Sequence, residues 1–460
     1  MSHSNPLLRV AEEPAEVESP YLRFGLTQNP FPDSPTIVPE SDDPRLNGEI
    51  YHATLRGQEQ AEFERLLISR PKAPASRPIA LLMDFATRRG RGIGKTAFLI
   101  HQRRRIMKDL GEELTQGSKV LLASHIAPEG SGRTRKFWQF SKQLAYALNQ
   151  DCCIAWALWR IRALCGVIPA ATLELVNFEN PSETLGNNGW LSENNVEVTF
   201  SLNATVEREL RSAGVSDPMS RALAWHGAEA EMFQQHILDG MSEHKWRQEG
   251  PRLVFEDLVR LFVAARINQV VLLVDEVEKI VVPQNSSERR GFVDDIRRHF
   301  VDGPFESVYR RMYSLLFTIH PYVQEVWSPH WNATGLDRVC AMSGGLAKEY
   351  TIYFQPLRAE ETAVPLVLSY MDHFRVGREQ RGSLFPFDRD AVVAALSLSG
   401  GVPGLMLTLL RLVLDKAVEN GWAEVGADRV KAIHKSEIPV EPEDDESRES
   451  LPNTQIDLLA

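Results

Sequence analysis

Residues 79 to 96 read IALLMDFATRRGRGIGKT, and few sequences limit a fold so strongly. An apolar run with the character of a buried β-strand enters a glycine-rich loop. The loop closes on Gly94-Lys95-Thr96, and a helix-forming segment follows. That order describes a phosphate-binding loop. Backbone N–H groups and a helix N-terminus surround the anion, a lysine reaches the outer phosphates, and a hydroxyl holds Mg²⁺. The cradle would comprise Gly90, Gly92, Ile93, Gly94, Lys95, Thr96 and Ala97. The loop departs from the usual GxxxxGK[ST] pattern, with Arg89 where its first glycine belongs. The tripeptide alone is equally compatible with a basic surface turn. The strand before it and the helix after it favour the phosphate loop. Phe98, Leu99, Ile106, Met107 and Leu110 fall near helical spacing, and Gly111 is placed to stop that helix.

A second run, VVLLVDEVEKI over Val270 to Ile280, supplies the complement. Five apolar residues without polar alternation predict a strand buried on both faces, hence a parallel sheet covered by helices. Asp275 then sits at the strand's carboxyl end, where open α/β sheets place ligands. There it can hold Mg²⁺, and Glu276 can orient or deprotonate an attacking water. Acidic punctuation after a strand is common; the phosphate loop upstream is what gives this pair a task.

Three more strands are predicted from Lys119 to Ile126, Tyr313 to Ile319 and Tyr350 to Phe354. The fold class is therefore α/β: a P-loop NTPase core with a five-stranded parallel sheet, a helical insertion and a C-terminal helical lid. The core takes 51–150 and 246–356, the insertion 150–245, and the lid 357–436. Residues 1–50 form a partly disordered arm, of which Tyr21 to Pro32 is expected to dock, and 437–460 a disordered acidic tail. Helices are expected over Gly57 to Ile68, Leu253 to Ala264, Leu357 to Phe374, Asp388 to Ser397 and Pro403 to Glu419, with a break at Gly400-Gly401. Asn285 and Glu288 have the spacing of a reciprocal cap.

The chain has 460 residues and a net charge of −11, which argues against an extended nucleic-acid-binding surface but leaves room for a local basic patch. The candidates are Arg133, Arg135, Lys136 and Lys142 beside Trp138, and Arg103 to Arg105; each is also readable as a solvated helix face. Cys152, Cys153, Cys165 and Cys340 lack metal-ligand spacing, which fits a reducing cytoplasm. No secretory signal stands out, and no uncharged apolar run is long enough to span a membrane.

Taken together, RGRGIGKT, VVLLVDEVEK, LLFTI, YTIYFQPLRAEE and PFDRDAVVAALSLSGGVPGLMLTLLRLVLDKAVENG resemble the AAA+ ATPases, near replication initiators and transposition-regulator ATPases; the likeness to STAND-type signalling ATPases is nearly as good. The opening YLRFGLTQNPF also looks like ATPases of mobile elements and bacterial defence clusters. The resemblance implies ATP and Mg²⁺ as ligands. Lys95 and Thr96 would hold phosphates and metal, Asp275 the metal, and Glu276 the water. Thr318 falls at the polar position that senses the γ-phosphate. Gly401, Val402 and Pro403 match the turn that starts the last lid helix, which makes Pro403 a nucleotide-side residue. Gly404 stands where initiators often carry an arginine, which points to slow hydrolysis. Arg289, Arg290, Arg297, Arg298, Arg310 and Arg311 supply candidates for a residue acting on a neighbouring copy's nucleotide. The expected function is an ATP-hydrolysing switch that assembles with itself and acts with DNA, weakly bound, or with a DNA-acting partner. The alternative is a nucleotide-gated protein sensor or scaffold with little hydrolysis, its partner read by the insertion. No membrane partner is expected.

Overall fold

A computed structural model describes residues 19–39, 41–68, 79–84, 92–108, 113, 120–176, 188–194, 202–303, 312–358 and 360–437. They form two compact units. One comprises the described residues from 56 to 355, the other those before 56 together with those after 355.

The first unit is built on a parallel sheet. Its strands are β1 (Ile79–Asp84), β2 (Leu121–Ile126), β3 (Gln269–Val274), β4 (Tyr313–Ile319) and β5 (Thr351–Phe354), in the spatial order β2-β3-β4-β1-β5. Every residue of β1, β3 and β4 is buried, as unbroken apolar runs require when helices cover both faces of a sheet. The sheet is all-parallel, so all five carboxyl ends lie along one edge. The strand order matters for the site. β4 lies between β1 and β3, pairing Leu82 with Thr318 on one side and Val274 with Phe317 on the other. That register brings the end of β4 level with the residue that follows β3.

The described part of the insertion is mainly helical. Its first helix, Cys153–Leu164, is buried over Cys153 to Arg162 and meets the sheet through the Cys153 thiol, 3.6 Å from the Ala123 carbonyl. Asn285 and Glu288 exchange cap hydrogen bonds at the start of helix Ser286–Ile296, as their spacing predicts.

The second unit is helical. Helices Glu360–His373, Arg389–Leu398, Pro403–Glu419 and Ala427–Glu437 enclose an apolar core. Phe24, Leu26 and Phe31 of the N-terminal arm complete that core, each at most 2% exposed. Polar contacts fix the arm. The Tyr21 hydroxyl donates to Asp415 Oδ1 at 2.5 Å, and the buried Arg375 donates to the Phe24 carbonyl at 2.6 Å. The break before the third helix is real: Gly400 and Gly401 both have positive φ. A β-carbon on Gly401 would lie 2.2 Å from the Leu357 carbonyl oxygen. Leu357 in turn donates its N–H to the Gly401 carbonyl at 2.8 Å. Arg411 donates to the Phe31 carbonyl and lies 3.9 Å from Asp415, so it secures the arm inside this unit. Residues 1–18, the acidic tail from 438 on, and Arg89, Gly90, Leu110, Gly111, Arg310 and Arg311 lie outside the described residues. No helix among the described residues is long and apolar enough to cross a membrane.

Candidate functional site

The site grows from the carboxyl ends of the strands. Asp84 closes β1, and its side chain is fully buried. A buried carboxylate needs a partner, and Lys95 supplies one, with Nζ 3.4 Å from Oδ2. Gly92 and Gly94 have φ of 82° and 95°. Around Gly94 a β-carbon would meet nothing within 4 Å, so the left-handed backbone itself favours glycine there. Gly94 leads into helix Lys95–Met107, and among the described residues no side chain caps that end. The N–H groups of Lys95, Thr96 and Ala97 therefore open the helix in the manner that suits an anion. Ile93 takes part through its backbone; its side chain is 1% exposed. Arg56 fastens the loop's exit to the sheet. Its guanidinium donates to the carbonyls of Ile93 at 2.8 Å and Gln355 at 2.6 Å and stacks over Phe354.

Two of the expected residues converge on the carboxylate of a third, Asp275. Thr96 Oγ1 donates to Asp275 Oδ2 at 2.6 Å, and Thr318 Oγ1 donates to Asp275 Oδ1 at 2.8 Å. Asp275 N donates to the Ile126 carbonyl at 2.8 Å, which ties the acid to the end of β2. Burial acts to raise the Asp275 pKa; His125, Thr96 and Thr318 outweigh it and bring it down to about 2. The carboxylate is thus an anion throughout the physiological range. His125 Nε2 lies 3.7 Å from Asp275 Oδ2, at the margin of the site.

Glu276 holds an unusual backbone. Its φ is 45°, a conformation that costs a non-glycine residue of the order of 1 kcal/mol or more. Its N–H donates to both Asp275 Oδ1 and Thr318 Oγ1 at 2.9 Å, and these bonds hold it there. Its carboxylate is ion-paired with Lys279 one turn on, and both side chains are substantially exposed.

Three residues of the site were not legible as members of it. Asp84 and His125 are single polar residues at strand ends. Glu278 opens the short helix Glu278–Val281. Burial raises its pKa, and Asp275 and Glu276 add to the rise, while a backbone hydrogen bond and Lys95 oppose it. The only signal for any of them was position, at the ligand-bearing edge of a parallel sheet. Pro403 begins helix Pro403–Glu419 of the other unit.

The basic candidates divide. Arg103 is ion-paired with Asp151, and Arg105 lies 2.8 Å from Glu64. Arg133 lies 3.6 Å from Glu129, Arg135 lies 3.5 Å from Glu288, and Lys142 sits over the Tyr146 ring. Arg289 donates to the Val281 carbonyl, and Arg297 pairs with Asp302 and bonds the Thr334 carbonyl. Most of these cations serve the chain's own structure. No protein-family model matches the chain, and no curated protein aligns with it.

Proposed function

We propose that this chain binds a nucleoside triphosphate with Mg²⁺ and hydrolyses it slowly, as a molecular switch. The observation that carries the reading is the convergence of the Thr96 and Thr318 hydroxyls on Asp275. A loop hydroxyl and a strand-end carboxylate are the hard oxygen donors that Mg²⁺ uses when substrate phosphates and water complete its shell. The donor set therefore fits the ion, with Thr96 and Asp275 as its protein ligands. Mg²⁺ would neutralise charge on the outer phosphates.

The chain's own groups do the rest. The uncapped helix start receives the phosphates, and Lys95 exchanges Asp84 for them. Thr318, bonded to both Asp275 and the Glu276 N–H, connects the state of the outer phosphate to the backbone that carries Glu276. Glu276 accepts a proton from the attacking water once its ion pair with Lys279 opens. That ion pair also favours a second reading, a nucleotide-gated scaffold with little turnover. Self-assembly and a DNA or DNA-acting partner belong to the first reading, and a protein ligand on the insertion to the second.

A fluorescent-nucleotide titration decides the first step. Lys95→Ala should abolish Mg²⁺-dependent binding, and unchanged affinity would remove the phosphate-loop assignment. Glu276→Gln should keep binding and stop phosphate release. Normal turnover in that variant would move the base elsewhere, with Glu278 the next carboxyl to replace.

A further inference from the structure

A cavity of about 490 Å³ opens between the start of helix Phe137–Gln150, helix Glu243–Arg252 and helix Ser286–Ile296 with the turn that follows it. It shares no residue with the Asp275 site, and its size suits a small organic ligand. Its inner wall is aromatic. Phe137 and Phe292 are buried, and His299 is stacked between Phe137 and Phe255, with centroids at 5.0 and 4.8 Å. His299 Nδ1 is buried and has no hydrogen-bond partner among the described residues. Trp138 is half-buried, with the Arg247 guanidinium 5.3 Å from its ring centroid.

The outer wall is cationic. Arg135, Lys136, Arg247 and Arg298 are exposed and line the cavity with two acids, Glu288 and Asp295. Arg135 is matched by Glu288 and Arg247 by Glu243. Lys136 and Arg298 have no ion pair among the described residues; Asp295 feels the charge of Arg298, and the lining cations still outnumber the acids. Gly291 lines the same cavity from mid-helix, and a β-carbon there would meet nothing within 4 Å. A glycine in a helix costs about 0.5–1 kcal/mol against alanine. The packing of the described residues does not call for it, and it leaves that wall of the cavity open.

We propose that this cavity binds a nucleotide unit, its planar base against Trp138 and its phosphate at Lys136 and Arg298. An inorganic anion would use the cations and leave the aromatic wall idle, and an apolar ligand would leave the cations idle. Burial, with Arg298 beside it, brings the His299 pKa down to about 4. The neutral ring that results can donate at one nitrogen and accept at the other, as a base edge requires. The unit can be a free nucleotide or an unpaired nucleotide of a single strand. A duplex cannot offer it, because its bases are stacked and paired.

The test uses the full chain carrying Lys95→Ala, which silences the phosphate loop, and two fluorescein-labelled probes at low salt, AMP and oligodeoxyadenylate. Binding of either supports the proposal, and the tighter probe identifies the source. Trp138→Ala should weaken the bound probe by roughly 5- to 100-fold, and Trp138→Phe should restore most of the loss. Gly291→Leu should weaken it at least about tenfold while the melting temperature holds or rises, since leucine favours helix. The proposal is overturned by no binding of either probe at millimolar concentration, by affinity indifferent to both substitutions, or by a duplex binding as tightly as the single strand. Each of these outcomes leaves the phosphate-loop reading standing, since that reading is tested on the Lys95 side chain alone.

Discussion

At the scale of single residues, the site depends on one hydroxyl more than the sequence suggests. Thr318 is 1% exposed, donates to Asp275 and accepts from the Glu276 N–H. Thr318→Val keeps the shape and removes both of its bonds, leaving the strained backbone of Glu276 with only the bond to Asp275 Oδ1. The substitution should cost about 1–3 kcal/mol in urea unfolding of the sheet unit and should lower phosphate release more than nucleotide affinity. Equal losses in the two would mean that Thr318 only supports the fold. His299 gives a pH prediction. Its folded pKa, about 4, lies below the ordinary 6.5, so the folded state favours the neutral ring. The stability this provides is complete above pH 6.5 and is lost as pH falls from there toward 4. Wild type should therefore lose stability between pH 7 and pH 5 relative to His299→Phe, which keeps the aromatic stack. Parallel profiles for the two proteins would contradict the shift.

At the scale of elements, what could be read in advance follows from how local each signal is. The unbroken apolar runs of β1, β3 and β4 are buried throughout because no other strand type tolerates such a run. The Asn285–Glu288 cap and the proline-led helix Pro403–Glu419 were also written locally, within one turn each. Asp84, His125 and Glu278 were not, because their role comes from which strands become neighbours, and strand order is not encoded in any single segment. The cavity beside Trp138 draws on three segments far apart in sequence, and Arg135, Lys136 and Trp138, which the sequence singles out, mark only one of them. Gly401 belongs to the readable class with a stricter consequence. Its φ is 77°, and a β-carbon would collide with the Leu357 carbonyl, a backbone atom that cannot swing away. Gly401→Ala should destabilise the helical unit by roughly 2 kcal/mol or more, read as an earlier urea transition. A cost below that of an ordinary surface substitution would show that the break relaxes freely.

At the scale of the whole molecule, two cores imply two transitions. Phe31 is fully buried among the C-terminal helices. Phe31→Ala should cost about 3–5 kcal/mol there and should lower the transition of the helical unit while leaving that of the sheet unit in place. Differential scanning calorimetry checks this, and one transition shifting as a whole would show that the units unfold together. The helical unit is also unusual in its use of the chain. Thr27 bonds the carbonyl of Phe374, 347 positions away, and Tyr21 reaches Asp415 across 394. During synthesis the arm emerges before the helices that bury it. The sheet unit, whose residues lie between, has every partner it needs beforehand. Phe24, Leu26 and Phe31 therefore wait for their partners until the sheet unit between has been made, and the length of that unit sets how long their apolar surface stays without its native cover.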